Sequence, residues 1–504
     1  MIAWWIAIPL LGVPLVALWP NRMLWRILAL LQLGVGLWMV SAYQVRAPLE
    51  VTYNLATLFF SAPWWGFPTP QGWSSRYQIQ LLFGTDGLAL WVGLAISLVY
   101  LVLSLWPSFP LRQPRYQLVA LQSLVGFTLW TVFSYDLLTF YVGFEAVLIP
   151  MYYLILTLGP TGEGARKAAL EFLLYTLVGS VPMLAGILYG ASEISRLHGV
   201  PFSTNLYSWL KYPLPPETQV WVYGSFVLAF WVKLGLFPLH GWVTSLYQHV
   251  PLEGVVLSSA ILTKLGGLGW IRIVGAFPHG HFTWAPYLGG MAVFSLLGAG
   301  LAAYFQKNLR AWLAYGTISH LSLVAVGISA TTAPGISGAG WFLVSHALIA
   351  AAHLLVVAAL LERTGTADIA ALGGLARPMP QLTALWVLVA LAAVGLPGLA
   401  QFPAELLVLT GSYSSLTLQR IVFVGTLASL VVSAAYTLPV LRRVLFGPER
   451  QTATDLAPAE SLPLWALGLG LIGTGLITAP FLVEIQRSTT PVVQAILFQV
   501  LGIR

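Results

Sequence analysis

The sequence has no cysteine, and only 8% of its 504 residues are charged, 23 lysines and arginines against 16 acids. Without cysteine, thiolate-held iron–sulfur clusters, thiolate metal sites and thiol catalysis are excluded, and the redox compartment stays open because there is nothing to oxidise. Any redox role must be borrowed from partners. The shortage of charge excludes more. An ordinary globular chain carries roughly 25% charged residues, and a water-soluble surface cannot be built from this inventory. No GxGxxG after a strand, Walker loop or catalytic triad is found, so nothing supports nucleotide binding or hydrolysis. No run of Lys or Arg exceeds two residues, so the net charge of +7 reads as membrane topology rather than nucleic-acid binding.

Against these absences stand 58% hydrophobic residues, 21 tryptophans and a mean hydropathy of +0.84. Apolar runs of about 20 residues recur along the whole chain, the length that crosses a bilayer as a helix. The reading is an all-α polytopic membrane protein with about 14 transmembrane helices, near 2–18, 24–43, 81–106, 115–135, 136–158, 166–191, 219–248, 252–276, 284–303, 308–331, 335–361, 379–412, 417–446 and 462–485. The N-terminal run reads as the first span, since it lacks a basic n-region and a cleavage pattern. Spans 219–248 and 379–412 are too long for one straight crossing. Each has internal proline flanked by glycine, Pro238 in the first and Pro397 and Pro403 in the second, so each predicts a broken helix. Lysines and arginines cluster in or beside the odd-numbered loops, among them Arg112, Arg166, Lys307, Arg310 and Arg442, which places those loops in the cytoplasm and both termini on the other side. Trp and Tyr near span ends read as interfacial anchors. The tail 487–504 reads either as a helix lying flat at the interface or as a frayed terminus.

An ionisable side chain near the bilayer centre costs at least about 2.5–3.5 kcal/mol on insertion scales. Four are placed there: Glu145 in TFYVGFEAVLIPMYYLIL, Lys233 before the break at Pro238, Lys264 in LSSAILTKLGGLGWIRI, and Glu405 after the second break. Two acids and two bases can neutralise each other pairwise. Structural ion pairs or snorkelling lysines are the plainer alternative. A proton relay through hydrated space is the sharper one, because a broken helix frees backbone groups that line an ion path. Four histidines are further candidates: His320 and His346, with His240 and His353 as secondary ones, since a neutral imidazole passes a proton from one nitrogen to the other. His346 and His353 are seven residues apart and so share a helix face. The sequence around them supplies no further ligands, so neither a metal nor a cofactor is expected in this chain. Asp136 and Glu171 read as solvated or capping residues, and the glycines of GGLGW as close helix packing.

The lines FSYDLLTFYVGFEAVLIPMYYLI, KLGLFPLHGW, KNLRAWLAYGTISHLSLV, SHALIAAAHLLVVAALLERTGT and GLPGLAQFPAELLVLTGSY resemble, in order and spacing, the chain-four (M or D) antiporter-like subunit of complex I and its photosynthetic relatives. The resemblance covers roughly residues 80 to 450. It implies two inverted five-helix repeats, each with a broken helix: residues 1–110 as the first three spans, 111–280 and 281–450 as the repeats, and 451–504 as the last span and tail. It implies that Glu145 pairs with Lys233, that Lys264 is the central relay base, that His320 and His346 continue a hydrated axis, and that Glu405 is the exit-side acid. The implied function is proton translocation in the membrane arm of a redox-driven NAD(P)H or ferredoxin:quinone oxidoreductase. Its partners would be other membrane-arm subunits, the bilayer and, indirectly, peripheral redox subunits. The alternative is a cation/proton antiporter subunit driven by the membrane gradient alone, and a third reading is a structural spacer. The family usually reads PLHxWLPxAHxxAP where this chain reads PLHGWVTSLYQHVP, so Tyr247 stands for a histidine and Ser245 for a polar or charged residue. Glu171 likewise stands where the family often has lysine. The tryptophan content and the D-type pattern point to a cyanobacterial thylakoid complex, in the variant linked to carbon dioxide uptake, with a bacterial inner membrane as the other location.

Overall fold

The computed structural model describes residues 2–46, 60–63, 77–78, 80–159, 162–450 and 453–502. Most of the polar stretch 44–80 therefore lies outside the described residues. Among those described, eleven helices are long and apolar enough to cross a membrane. The other three expected spans fall on Ile2–Leu18 and on two interrupted pairs, Pro216–Leu234 with Gly241–His249 and Pro380–Ala393 with Phe402–Tyr413.

Proline placement explains many of the helix starts. Pro114, Pro216, Pro278, Pro380 and Pro458 each occupy the first turn, where the missing N–H costs nothing and the fixed φ is already helical. Asp86, Asp136, Asn308 and Thr332 cap other starts with a side-chain oxygen on a backbone N–H. Asp136 is fully buried and also accepts from Thr204 Oγ1 at 2.6 Å, so it caps and is not solvated. Pro150 removes a backbone donor, and the fifth span divides at Val147 into Leu137–Ala146 and Leu148–Leu158.

Two expectations change and one alternative closes. The apolar run from 81 opens as a strand, Gln80–Phe83, antiparallel to Phe60–Pro63, and the helix begins only at Gly87. A short apolar run does not by itself distinguish strand from helix, and here Gly84 N–H bonds the Phe133 carbonyl while Tyr135 N–H bonds that of Leu82. The ninth span starts at Pro278 rather than 284, which brings His281 into it. The tail is not frayed: the helical one of its two readings holds, with Ala479–Leu501 a 23-residue helix packed against the N-terminal ends of Gly87–Leu105 and Ala333–Thr364. Ser488 Oγ accepts from Gly87 N–H at 2.9 Å, and Thr489 Oγ1 lies 2.7 Å from Ser337 Oγ.

Many of the arginines do more than set topology. Arg22 donates to the carbonyls of Trp106, Pro107 and Phe109, Arg112 to Gly159, and Arg310 to Tyr247 and Val250. Each satisfies carbonyls left over at a helix C-terminus, where positive charge is also favoured by the dipole.

Candidate functional site

Ala333–Thr364 is the longest helix running through the buried centre, and all of its most apolar 18-residue window is buried. It carries His346 and His353. The Lys264 helix packs against it, and that contact builds the site. The latter helix contains a single π-helical stretch, Leu257–Leu262, immediately before Thr263–Val274. A π-turn widens the bonding pattern and frees carbonyl groups from their usual i→i−4 partners, a distortion frequent at functional sites. Here the Ser259 carbonyl accepts from Lys264 Nζ at 2.7 Å and from Thr263 Oγ1 at 2.7 Å. Lys264 Nζ also lies 3.1 Å from Thr263 Oγ1 and 3.0 Å from His346 Nδ1. Lys264 is fully buried, so it does not snorkel.

Beyond His346 lies a cavity with about 30 Å³ of space for the centre of a water molecule, lined by His320, His346, His353, Thr317, Trp312 and Tyr436 among others. A cavity needs roughly 10–15 Å³ on that measure to hold one water. The His320 and His346 rings are 6.0 Å apart, edge to face. His320 Nε2 is 2.8 Å from Tyr436 Oη, and His353 Nε2 accepts from Trp386 Nε1 at 3.0 Å. Tyr247 also reaches this region, donating toward Ser259 Oγ at 2.9 Å and lying 2.7 Å from Thr317 Oγ1.

The four expected charges form no direct salt bridge with one another among the described residues, neither Glu145 with Lys233 nor Lys264 with Glu405. Lys233 is buried with Nζ 4.3 Å over the Phe144 ring and 3.4 Å from the Phe144 carbonyl, one residue short of the acid assigned to it. Glu145 is half-buried, within electrostatic reach of Lys233, and its Oε1 has no hydrogen-bond partner among the described residues. The physical reason is local: the ammonium finds a carbonyl and an aromatic face, which compete with the carboxylate for it. Glu405 is buried and accepts from Gln401 Nε2 at 2.7 Å. His240 opens the second half of the first broken helix, half-buried beside Phe237 and Tyr315, and does not reach the cavity.

Both helix interruptions are closed by side-chain N–H groups. At the first, Trp231 Nε1 donates to the Phe237 carbonyl and Trp242 Nε1 to the Val232 carbonyl, each at 3.0 Å. At the second, Trp341 Nε1 donates to the Ala400 carbonyl and Gln401 Nε2 to the Ala393 carbonyl, each at 2.9 Å. Freed backbone groups at membrane depth must be satisfied in some such way. Among the described residues nine tryptophans are fully buried, so the interfacial-anchor expectation does not account for much of the indole content. Glycine brings the two lysine helices together: a Cβ on Gly266 would lie 3.0 Å from the Phe230 carbonyl and 3.2 Å from Lys233 Cβ. Sequence reasoning did not reach Tyr436, Gln401 or the π-turn, since neutral side chains and helix widening carry no charge signal.

The family model described as NADH:quinone oxidoreductase/Mrp antiporter, transmembrane, matches residues 134–431. NADH-quinone oxidoreductase subunit 13 of Thermus thermophilus is 34% identical over 436 residues, 84% of this chain and 89% of that one. NAD(P)H-quinone oxidoreductase chain 4 2 of a Synechococcus species is 31% identical over 417 residues, covering 80% and 76% respectively. A chain in the structure of respiratory complex I from Thermus thermophilus with bound NADH superposes with a TM-score of 0.87 at 30% identity, over 98% of this chain and all of that one.

Proposed function

From the premise that this chain belongs to the NADH:quinone oxidoreductase/Mrp antiporter family, we propose that it is a proton-translocating membrane-arm subunit of a redox-driven quinone oxidoreductase. The relay would run through Glu145, Lys233, Lys264, His346, His320 and Glu405. The observation that carries this reading is the contact of Lys264 Nζ with His346 Nδ1 at the wall of a water-sized cavity.

Bond counting shows what that contact can do. An ammonium has three N–H donors, and Lys264 Nζ has three acceptors: the Ser259 carbonyl, Thr263 Oγ1 and His346 Nδ1. If the proton crosses to Nδ1, the neutral amine keeps two donors and turns its lone pair to the new Nδ1–H. No hydrogen bond is lost in either state, so the transfer needs little reorganisation. His346 then holds a proton on each nitrogen and can release the Nε2 proton into the cavity toward His320. Tyr436 and Glu405 lie within electrostatic reach of each other on the far side. On the input side, the approach of a carboxylate or its withdrawal from Lys233 changes how favourable the ammonium is there. Lys233 poised on Phe144 beside a half-buried Glu145 fits such a movable pair. Redox chemistry would belong to partner subunits, which drive the chain by displacing that pair.

The test is the complete membrane complex in sealed vesicles, comparing wild type with Lys264→Ala. Quinone reduction should continue while protons moved per quinone fall. Equal proton yields would overturn the relay and favour a docking role. Exchange of Na⁺ for H⁺ by the chain alone in liposomes, with no redox partner, would replace the pump with a gradient-driven antiporter. The peripheral subunits that co-purify identify the donor and quinone, and they distinguish a thylakoid complex linked to carbon dioxide uptake from one in a bacterial inner membrane.

A further inference from the structure

His281 stands apart from the relay, in the first turn of Pro278–Tyr304, and is fully buried. Both ring nitrogens are engaged: Nδ1 is 2.7 Å from Tyr223 Oη, and Nε2 is 2.9 Å from Thr331 Oγ1. Trp270 Nε1 lies 2.7 Å from the same Tyr223 oxygen. On the other side, Thr331 Oγ1 is 3.3 Å from Thr417 Oγ1, which donates to the Ser329 carbonyl at 2.9 Å.

The chemistry of the ends fixes the direction of the chain. An indole N–H only donates, so the Tyr223 oxygen accepts from Trp270. The Tyr223 hydroxyl is buried, and its proton has Nδ1 of His281 as its acceptor. The reverse arrangement, with Nδ1–H donating to the phenol, would strand the phenol proton in the interior at a cost of about 1–3 kcal/mol. The imidazole is therefore neutral, carries its proton on Nε2, and donates to Thr331.

The chain joins elements from both halves of the molecule. Trp270 is on the Lys264 helix and Tyr223 on the Lys233 helix. Thr331 lies in the turn between the His320 and His346 helices, and Thr417 follows the Glu405 helix Phe402–Tyr413. Thr331 also has φ +54°, the one positive value at a non-glycine residue among those described. For a β-branched residue this is a strained conformation, and it persists where surrounding contacts over-determine it. Its neighbour Thr332 donates to the Gly411 carbonyl at 3.2 Å, in the last turns of the Glu405 helix. Trp270 packs 6.1 Å from Trp231, whose indole closes the first helix break.

We propose that His281 is a positioning residue, a neutral Nε2–H imidazole that latches the Lys233 and Lys264 helices to the strained Thr331 turn and hence to the Glu405 helix. It relays no proton, because its directional bonding holds one tautomer. Its consequence for pumping rests on the reading of the chain as a pump, whereas the tautomer follows from geometry alone.

The experiment uses the complete complex with ¹⁵N-labelled histidine, in vesicles. The His281 signal, identified by its loss in His281→Leu, should show protonated Nε2 and unprotonated Nδ1, and Tyr223→Phe should admit the Nδ1–H tautomer. An Nδ1–H or doubly protonated ring in the wild type overturns the assignment. His281→Leu, assembled to the wild-type level, should lose at least half of the proton yield that Lys264→Ala loses, with quinone reduction retained. If Lys264→Ala lowers the yield and His281→Leu does not, the latch fails alone; if Lys264→Ala changes nothing, the pump reading fails. Should His281→Leu not assemble, Thr331→Gly removes the hydroxyl while accepting the positive φ and is expected to show the same loss, with Thr331→Ser restoring the yield. A normal yield in assembled Thr331→Gly overturns the latch.

Discussion

Lys233 Nζ rests 4.3 Å over the ring of Phe144, the residue immediately before Glu145. The ammonium is thus held next to its acid without being bound to it, and a small shift separates the paired and unpaired states. A cation over an aromatic face gains about 0.5–2 kcal/mol, equivalent to roughly twofold to thirtyfold in an equilibrium. Phe144→Leu keeps an apolar side chain and removes the quadrupole. The initial rate of proton uptake into vesicles should fall by a factor within that range at unchanged complex content, and an unchanged rate would remove the ring from the account.

Lys264 and His346 act as one unit if a proton is shared between them. Lys264→Ala and His346→Ala should each lower proton yield, and the double variant should be no worse than the poorer single one, as groups in direct contact are non-additive. Losses that multiply in the double variant would show two independent roles.

Gly266 faces the backbone of the Lys233 helix directly. Gly266→Ala pushes a methyl against the Phe230 carbonyl and Lys233 Cβ, and overpacking of this kind costs about 1–3 kcal/mol. Thermal unfolding in detergent should shift downward. Gly298→Ala is the control, because nothing lies within 4 Å of a Cβ there, and its midpoint should hold or rise.

Gly395 sits at φ +79° in the second helix break, and an added Cβ would strike the Glu405 carboxylate. Gly395→Ala should therefore reproduce the pumping loss of Glu405→Gln while adding a left-handed backbone cost of about 1–2 kcal/mol. Proton yield and unfolding midpoint measured on the same preparations separate the two effects. Normal pumping in Gly395→Ala would show that the place of Glu405 does not matter.

Tyr247 tests the departure from the family pattern. Tyr247→Phe breaks the contacts with Ser259 and Thr317 and should slow proton uptake severalfold, while Tyr247→His restores a group able to bond both. If the phenylalanine variant pumps normally, the hydroxyl takes no part in input.

Most of the fold was legible because hydrocarbon imposes a simple rule, and runs such as those around Ala347 and Val432 obey it. The breaks at 235–240 and 394–401 were legible from Pro238 and Pro397 with their glycines. The buried lysines announced themselves by their cost. What escaped was neutral or local. His281 fell before the expected start of its helix, and nothing in PHGHFTW marks a buried imidazole. The π-turn before Lys264 has no composition signature, and Gln401 and Tyr436 acquire meaning only from Glu405 and His320 facing them. The resemblance implied the pairing of Glu145 with Lys233, but not that the ammonium would rest on the Phe144 ring and carbonyl beside the acid, since a sequence pattern cannot weigh a carboxylate against an aromatic ring and a carbonyl.

The indoles at the two interruptions have an electrical consequence. An exposed carbonyl in a broken helix invites water, and a file of water conducts protons whether or not the machine has turned over. Trp231, Trp242 and Trp341 occupy such oxygens with a group that donates yet has no lone pair in the bonding plane to receive. They are insulators set at the weakest points of the dielectric, and a chain rich in tryptophan can thus keep a short circuit from forming through the gaps its own helices require.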